Sequence, residues 1–222
     1  VIVAISPHPD DTELGVAGYL ARKINEGAEV HNVVVTVGDV FFRHLDRVVT
    51  ADERMQECHA AGHLLGFKSV ECLFPGKDTI LDFFPIVEII QAIDRICDRL
   101  QPSEVLIPLP SSHQDHEVVY RACLAAVRPS ATRSVRLIAA YEYPATGWGP
   151  GMPLLATGGG MYVDVTDWIK TKENALLCYE SQMRDRDNCF SVDAVRAMAR
   201  MRGLECGVHY AELLHVMRIL VR

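Results

Sequence analysis

Apolar and polar positions along the chain alternate between two periods. Val1–Ile5 is an unbroken apolar run, of the kind buried on both faces of a parallel sheet. From Glu13 to about Glu26 the apolar residues Leu14, Ala17, Leu20 and Ile24 recur at helical spacing until Gly27 stops the run. Val30–Val37 reads as the next strand. A helix is then expected from about Ala51 to Leu65, closed by Gly66 as its C-terminal cap. Ser69–Phe74 reads as a third strand, turned by Pro75-Gly76. Phe84–Leu100 reads as a long amphipathic helix carried by Ile86, Ile89, Ile90, Ile93, Ile96 and Leu100. A strand at Glu104–Leu109, a helix at His116–Val127 and a strand at Ser134–Tyr143 continue the rhythm. Residues 40–50 have mixed polarity without a clean period and are expected to be a loop or irregular. The Gly/Pro-rich stretch near 145–160 breaks the alternation, before a strand at Met161–Val165 and helices near 168–183 and 191–203.

Parallel strands need crossover connections, and helices supply them here. The expected fold is therefore α/β: a Rossmann-like three-layer sandwich, with a mostly parallel sheet and helices on both faces. A chain of 222 residues fits one domain, 1–222, with 144–222 as a C-terminal elaboration. At this length roughly 70% of the unfolded surface can be buried, so folding needs no metal or disulfide. A metal site, if present, is then expected to be functional.

Charge and cysteine usage narrow the partners. The formal net charge of −7, from 22 basic and 29 acidic residues, argues against nucleic acid, which needs a basic surface. The seven cysteines are scattered and form no CxxC pair, which points to a reducing, cytoplasmic setting and away from zinc-ribbon or thioredoxin-like chemistry. No run of 18 or more apolar residues is long enough to span a membrane, and no secretory leader pattern precedes the first strand. Val1 opens inside that strand, so a few further residues are expected before it.

The chemistry concentrates after two strands. The first runs into Ser6-Pro7-His8-Pro9-Asp10-Asp11-Thr12-Glu13, placing a histidine and adjacent carboxylates where ligands bind in open α/β sheets. The fourth ends in Pro108-Leu109-Pro110 and is followed by His113-Gln114-Asp115-His116. If these strands are neighbours, the two clusters face one crevice and can gather two histidines and a carboxylate around zinc, leaving a position open for water. Taken alone, the first motif also fits helix capping by Asp11 or Thr12. Two such clusters after buried strands are harder to explain that way.

These motifs resemble the PIG-L/LmbE-like family of zinc-dependent N-deacetylases. The family's His-Pro-Asp-Asp-x-Glu is matched by His8 through Glu13, and its His-x-Asp-His by His113 through His116. Arg54, Glu57, Ala61, Leu65 and Gly66 match an intermediate pattern. Lys172, Ala175, Leu176, Ser181 and Gln182 match a late helix, and Gly207, Ala211 and Glu212 the closing motif. There the family usually continues with an aromatic, where this chain has Leu213-Leu214. The resemblance implies Zn2+ held by His8, Asp11 and His116, with Asp10 as general base. It implies that His113 stabilises the oxyanion and helps protonate the leaving amine, with Asp115 orienting its imidazole. Arg54 and Asp78 become candidate substrate-binding residues. Arg54 equally fits an i,i+3 pair with Glu57, and Asp78 a solvated turn. The implied partner is an N-acetylated sugar or glycoconjugate of the N-acetylglucosamine type, with homo-oligomers common among relatives.

Other features are read more plainly. Glu142 and Thr146 are possible pocket residues. His59 and His63 have i,i+4 spacing but no HExxH glutamate, and are expected on a helix surface. Trp148 and Trp168 are expected to pack rather than stack on a sugar. Gly158-Gly159-Gly160 lacks the lysine and helix of a phosphate loop, and His209 and His215 receive no role. No GxGxxG follows the first strand, which removes a dinucleotide-dependent dehydrogenase. The alternatives left open are the same centre acting on another acyl amide or ester, or a non-catalytic sugar- or nucleotide-binding module.

Overall fold

The computed structural model describes residues 1–147 and 159–221. Trp148, Gly158 and most of the Gly/Pro-rich stretch lie outside the described residues. A seven-stranded sheet forms the centre. It comprises β1 (Ile2–Ser6), β2 (Val30–Val37), β5 (Ser69–Pro75), β6 (Glu104–Pro108), β7 (Leu137–Tyr141), β8 (Gly159–Asp164) and β9 (Ala211–Ile219). Their order is β5-β2-β1-β6-β7-β9-β8. The first five run parallel, and β9 is antiparallel to both β7 and β8.

Helices cover both faces, as the alternation requires. α3 (Ile86–Leu100) and α4 (Gln114–Ala126) bury Ile89, Ile93, Val119 and Cys123 against Val3, Ile5, Val33 and Val105 on one face. On the other, α1 (Asp11–Asn25) and α2 (Ala51–Leu65) pack with α5 (Ile169–Leu176), while α6 (Val192–Cys206) lies against β9. The alternate residues Ile2 and Ala4 of β1 face this side, against Val16 and Leu20. Gly66 caps α2 in the left-handed conformation at φ 86°. The segment after residue 144 adds β8 and β9 to the same sheet.

α1 lies unusually close to the sheet. A Cβ on Gly15 would fall 2.2 Å from the buried Tyr141 ring, so the glycine sets the approach of the helix. Tyr141 in turn donates its hydroxyl to the Ile5 carbonyl at 2.8 Å. One turn further along the helix, Glu212 accepts from the Gly18 and Tyr19 backbone N–H at 2.9 and 2.7 Å. Lys172 pairs with the same Glu212 carboxylate at 2.6 Å, both side chains being buried. The closing motif thus fixes the helix that carries the first His/Asp cluster, and Leu213 and Leu214 are buried there.

Residues 40–50 differ from expectation. They form a hairpin of β3 (Val40–Phe42) and β4 (Arg47–Val49), turned by Arg43–Asp46, with Asp46 at φ 51°. The late helix is shorter than the expected 168–183 and ends at Leu176, followed by turns.

Candidate metal centre and active-site cavity

β1 pairs with β2 on one side and β6 on the other, so the reversal of strand order falls between β1 and β6. Residues following these two strands meet there. The loop after β1 is tied down at each proline. The Thr36 N–H donates to the Pro7 carbonyl at 3.0 Å. The Tyr179 hydroxyl and the Cys58 thiol donate to the Pro9 carbonyl at 2.6 and 3.3 Å. Thr12 is held to Asn32 at 3.0 Å.

Asp11 sits between two histidines. Its Oδ2 lies 3.5 Å from His8 Nδ1, and its Oδ1 lies 3.4 Å from His116 Nε2. Tetrahedral ligands bound at about 2.0–2.2 Å stand roughly 3.3–3.6 Å apart, so these spacings suit one zinc ion. All three side chains are buried. The other ring nitrogen of His8 faces Asp115 Oδ2 at 3.0 Å, a carboxylate–histidine support typical of metal sites. His116 Nδ1 lies 3.5 Å from the Tyr143 hydroxyl. A second potential grouping of His8, Asp78, His113 and Asp115 surrounds the far edge of the same imidazole. There Asp78 is already paired with Arg54, and Asp115 with backbone N–H groups, so the first set is the better ligand shell.

Electrostatics agree with a cation-binding centre. Burial alone would lower the His8 pKa, but Asp11, Asp115 and Asp78 together raise it to about 10. The pocket thus draws a positive charge onto His8. Burial alone would raise Asp11, yet His116 and His8 hold it down at about 2. Burial and the charge on His8 lower His116 to about 4, leaving a neutral imidazole for coordination. Asp10 occupies the N-cap of α1 without making a capping hydrogen bond. Burial and the neighbouring Asp11 push its carboxyl up to about 6.

His113 caps α4 and departs from expectation in its pairing. Its Nδ1 accepts the Asp115 backbone N–H at 3.2 Å, which assigns the ring proton to Nε2. The Asp115 carboxylate does not orient this ring. It accepts from Thr79 N at 2.8 Å and Leu81 N at 3.1 Å and supports His8 instead. Asp115 sits in the first turn of α4, so its side chain points across at the 78–81 segment. Burial, with the nearby His8 charge, lowers the His113 pKa, in contrast to a protonated acid stabilised by Asp115. Thr79 is held at φ 67°, an uncommon backbone for a β-branched residue, by the Asp115 contact and by Gln114 at 2.7 Å.

A cavity of about 630 Å³ opens over this centre. His8, Asp10, Asp11, His113 and His116 line it together with Arg54 and Asp78. Arg54 is buried, donating to the Gly38 carbonyl at 3.0 Å and to Asp78. Its expected pair with Glu57 is absent among the described residues, where Glu57 instead accepts from Ser181 at 2.6 Å. The Arg54 Nε has no protein partner. Residues that sequence reasoning missed also line the cavity: Val40 and Phe42 of the hairpin, Tyr143, Arg184 and Phe190. Glu142 lies elsewhere, accepting from Nε and Nη2 of Arg202 and 3.7 Å from His215. Thr146 Oγ1 accepts from Tyr143 N at 2.9 Å, holding the turn that carries Tyr143. His59 and His63 are exposed on α2, and Trp168 packs against the buried cluster beneath that helix.

An α/β sheet with a His/Asp cluster at its switch point, able to hold a metal ion beneath a cavity, has the build of an enzyme active site. Residues 3–127 match the PIG-L family, described as GlcNAc-PI de-N-acetylase. The chain belongs to this family and is an amidohydrolase of the deacetylase type. It is 31% identical over 159 residues to an Escherichia coli K12 protein described as the uncharacterized deacetylase YaiS, covering 68% of this chain and 78% of that one. It is 27% identical over 223 residues to the diacetylchitobiose deacetylase of Thermococcus kodakarensis, covering 95% and 80%. The solved N,N'-diacetylchitobiose deacetylase of Pyrococcus horikoshii superposes with a TM-score of 0.79 at 25% identity, covering 98% of this chain and 83% of that one. No helix among the described residues is long and apolar enough to cross a membrane.

Proposed function

We propose that this chain is a zinc-dependent hydrolase that removes an N-acetyl group from an amino sugar or glycoconjugate, releasing acetate and the free amine. The observation that carries this reading is the placement of His8 Nδ1 and His116 Nε2 at 3.5 and 3.4 Å from the two oxygens of Asp11, beneath one cavity. Zinc held by His8, Asp11 and His116 would supply Lewis-acid polarisation and bring the pKa of water from 15.7 toward about 7.

The remaining steps belong to side chains. Asp10, uncapped and raised to about 6, accepts the proton of the attacking water as its oxygen bonds the acetyl carbon. The Nε2–H of neutral His113 donates to the carbonyl oxygen as negative charge develops there. The carbon–nitrogen bond then breaks, and the proton held by Asp10 passes to the departing nitrogen. Asp115 positions His8, and Arg54 with Asp78 presents polar groups to the substrate.

The test is acetate release from a panel of N-acetylated sugars by zinc-loaded protein. Asp10→Asn is expected to lower kcat by about 10²–10⁴-fold while zinc stays bound. Stoichiometric zinc without acetate from any sugar, or full activity in Asp10→Asn, overturns the reading.

A further inference from the structure

Tyr143 reaches the centre from the side of His116 turned away from Asp11. It follows β7, is buried beside the cavity, and packs its ring with Leu14, Leu176 and Val195. Thr146 fixes its backbone: the Thr146 N–H donates to the Tyr143 carbonyl at 2.8 Å, and Thr146 Oγ1 accepts the Tyr143 N–H at 2.9 Å. The ring centre stands 5.4 Å from that of His116 and 6.3 Å from that of Phe190. A phenol held this way carries its hydroxyl to a set place, where it has two partners. Ser111 Oγ lies at 3.3 Å and His116 Nδ1 at 3.5 Å. Ser111 Oγ in turn accepts the His113 N–H at 3.2 Å.

Counting protons gives this chain of contacts a direction. His116 presents Nε2 to Asp11 at 3.4 Å, so with a metal on Nε2 the ring proton lies on Nδ1. Nδ1–H then donates to the Tyr143 oxygen, and the Tyr143 O–H donates onward to Ser111 Oγ. The two lone pairs of Ser111 Oγ take this donor and the His113 N–H, so no donor faces a donor. The two histidines of the centre therefore have unlike supports. His8 faces the Asp115 carboxylate at 3.0 Å, whereas His116 faces a phenol.

We infer that Tyr143 is a positioning residue that ties the two halves of the site together, aiming His116 Nε2 at the metal and steadying, through Ser111, the backbone of His113. This rests on the zinc-deacetylase reading above. The ring supplies packing and the single oxygen supplies both polar contacts, so removing that oxygen separates the positioning role from a merely structural one.

The experiment compares Tyr143→Phe, which keeps the ring, with Ser111→Ala, which breaks only the arm to His113. Thermal melts of the metal-free chains verify the fold. In competition against a chelator, Tyr143→Phe should lower zinc affinity by about tenfold or more, and it should alter the visible spectrum of the cobalt-substituted chain. Ser111→Ala should keep zinc affinity within about twofold and lower kcat for acetate release. Zinc affinity and a cobalt spectrum unchanged in Tyr143→Phe overturn the inference, as does an equal loss of zinc in Ser111→Ala. If Tyr143→Phe does not fold, Ser111→Ala decides: a lower kcat at unchanged zinc affinity supports the tie, and a wild-type kcat overturns it. If the wild type takes up no zinc, the metal reading fails separately. The contact is then judged in the 15N-histidine-labelled metal-free chain, where a His116 Nδ1 resonance moved by Tyr143→Phe supports it and an unmoved one overturns it.

Discussion

Replacing Asp115 by asparagine separates two roles for this side chain. Its Oδ2 takes the Thr79 N–H at 2.8 Å and faces His8 Nε2 at 3.0 Å, while Oδ1 takes the Leu81 N–H at 3.1 Å. An amide has one acceptor oxygen. Its better orientation keeps that oxygen on Thr79 and His8, and turns NH2 toward the Leu81 N–H. One buried donor is then left unpaired, at about 1–3 kcal/mol. Thr79, at φ 67°, also loses part of the restraint on a backbone conformation that costs about 1–3 kcal/mol. His8 meanwhile exchanges a charged partner for a neutral one. Loss of such support typically lowers metal affinity by about 10–100-fold, equivalent to roughly 1.4–2.7 kcal/mol. The assay is competition for zinc against a chromophoric chelator, with thermal melts of the metal-free protein alongside. Zinc affinity within about twofold of wild type, combined with a fall in kcat alone, would refute the reasoning and place Asp115 functionally on His113.

Three further outcomes are expected. After dialysis, metal analysis should find zinc lost from His116→Ala and retained by His63→Ala, because only the first touches Asp11. Gly15→Ala should lower Tm, since a methyl at 2.2 Å from the buried Tyr141 ring costs about 1–3 kcal/mol of overpacking, more than the gain of up to about 1 kcal/mol in helix propensity; a higher Tm sinks the close-packing account. Burial alone would raise the Glu142 pKa, but His215 and Arg202 hold it below the ordinary glutamate value. A carboxylate depressed in this way contributes stability above its unfolded pKa and loses it as pH falls through the folded value. Glu142→Gln should therefore lose less Tm than wild type between about pH 6 and pH 3, and parallel acid limbs would argue against the ion pair's contribution.

The parts legible in the sequence are those governed by short-range rules. The buried run at Ile2–Ile5, the left-handed glycine at position 66 and the isoleucine stripe of α3 each specify an element locally, whereas the adjacency of β1 and β6, left conditional by the sequence, is set by the sheet order. That adjacency alone brings His8, Asp11 and His116 together. The hairpin was missed because each of its strands has only three residues, too few to establish a period. Arg184 and Phe42 were invisible for another reason. Their meeting depends on the 183–190 segment folding across the hairpin, a tertiary contact that neither stretch encodes alone. The partner of Asp115 was missed because the order His113-Gln114-Asp115 suggests a local pair, whereas helix geometry directs the carboxylate toward Thr79 and Leu81.

The roles of the acidic residues separate once their partners are counted. Four carboxylates, Asp10, Asp11, Asp78 and Asp115, gather around one imidazole pair. Asp78 is compensated by Arg54, and Asp115 by two backbone N–H groups and His8. Asp11 accepts the His8 backbone N–H at 2.9 Å and otherwise faces the two histidine rings, which must be neutral to bind a metal, so a dication at their common point would compensate it. Asp10 remains: buried, making no capping hydrogen bond, lining the same cavity as His113, and raised to about 6 by burial and by Asp11. A carboxylate in that position gains little from staying charged and can take up a proton near neutral pH at low cost. Of these four carboxylates, Asp10 is thus the one left free to serve as base in the proposed reaction. The resemblance to the deacetylase family implies the same role for Asp10.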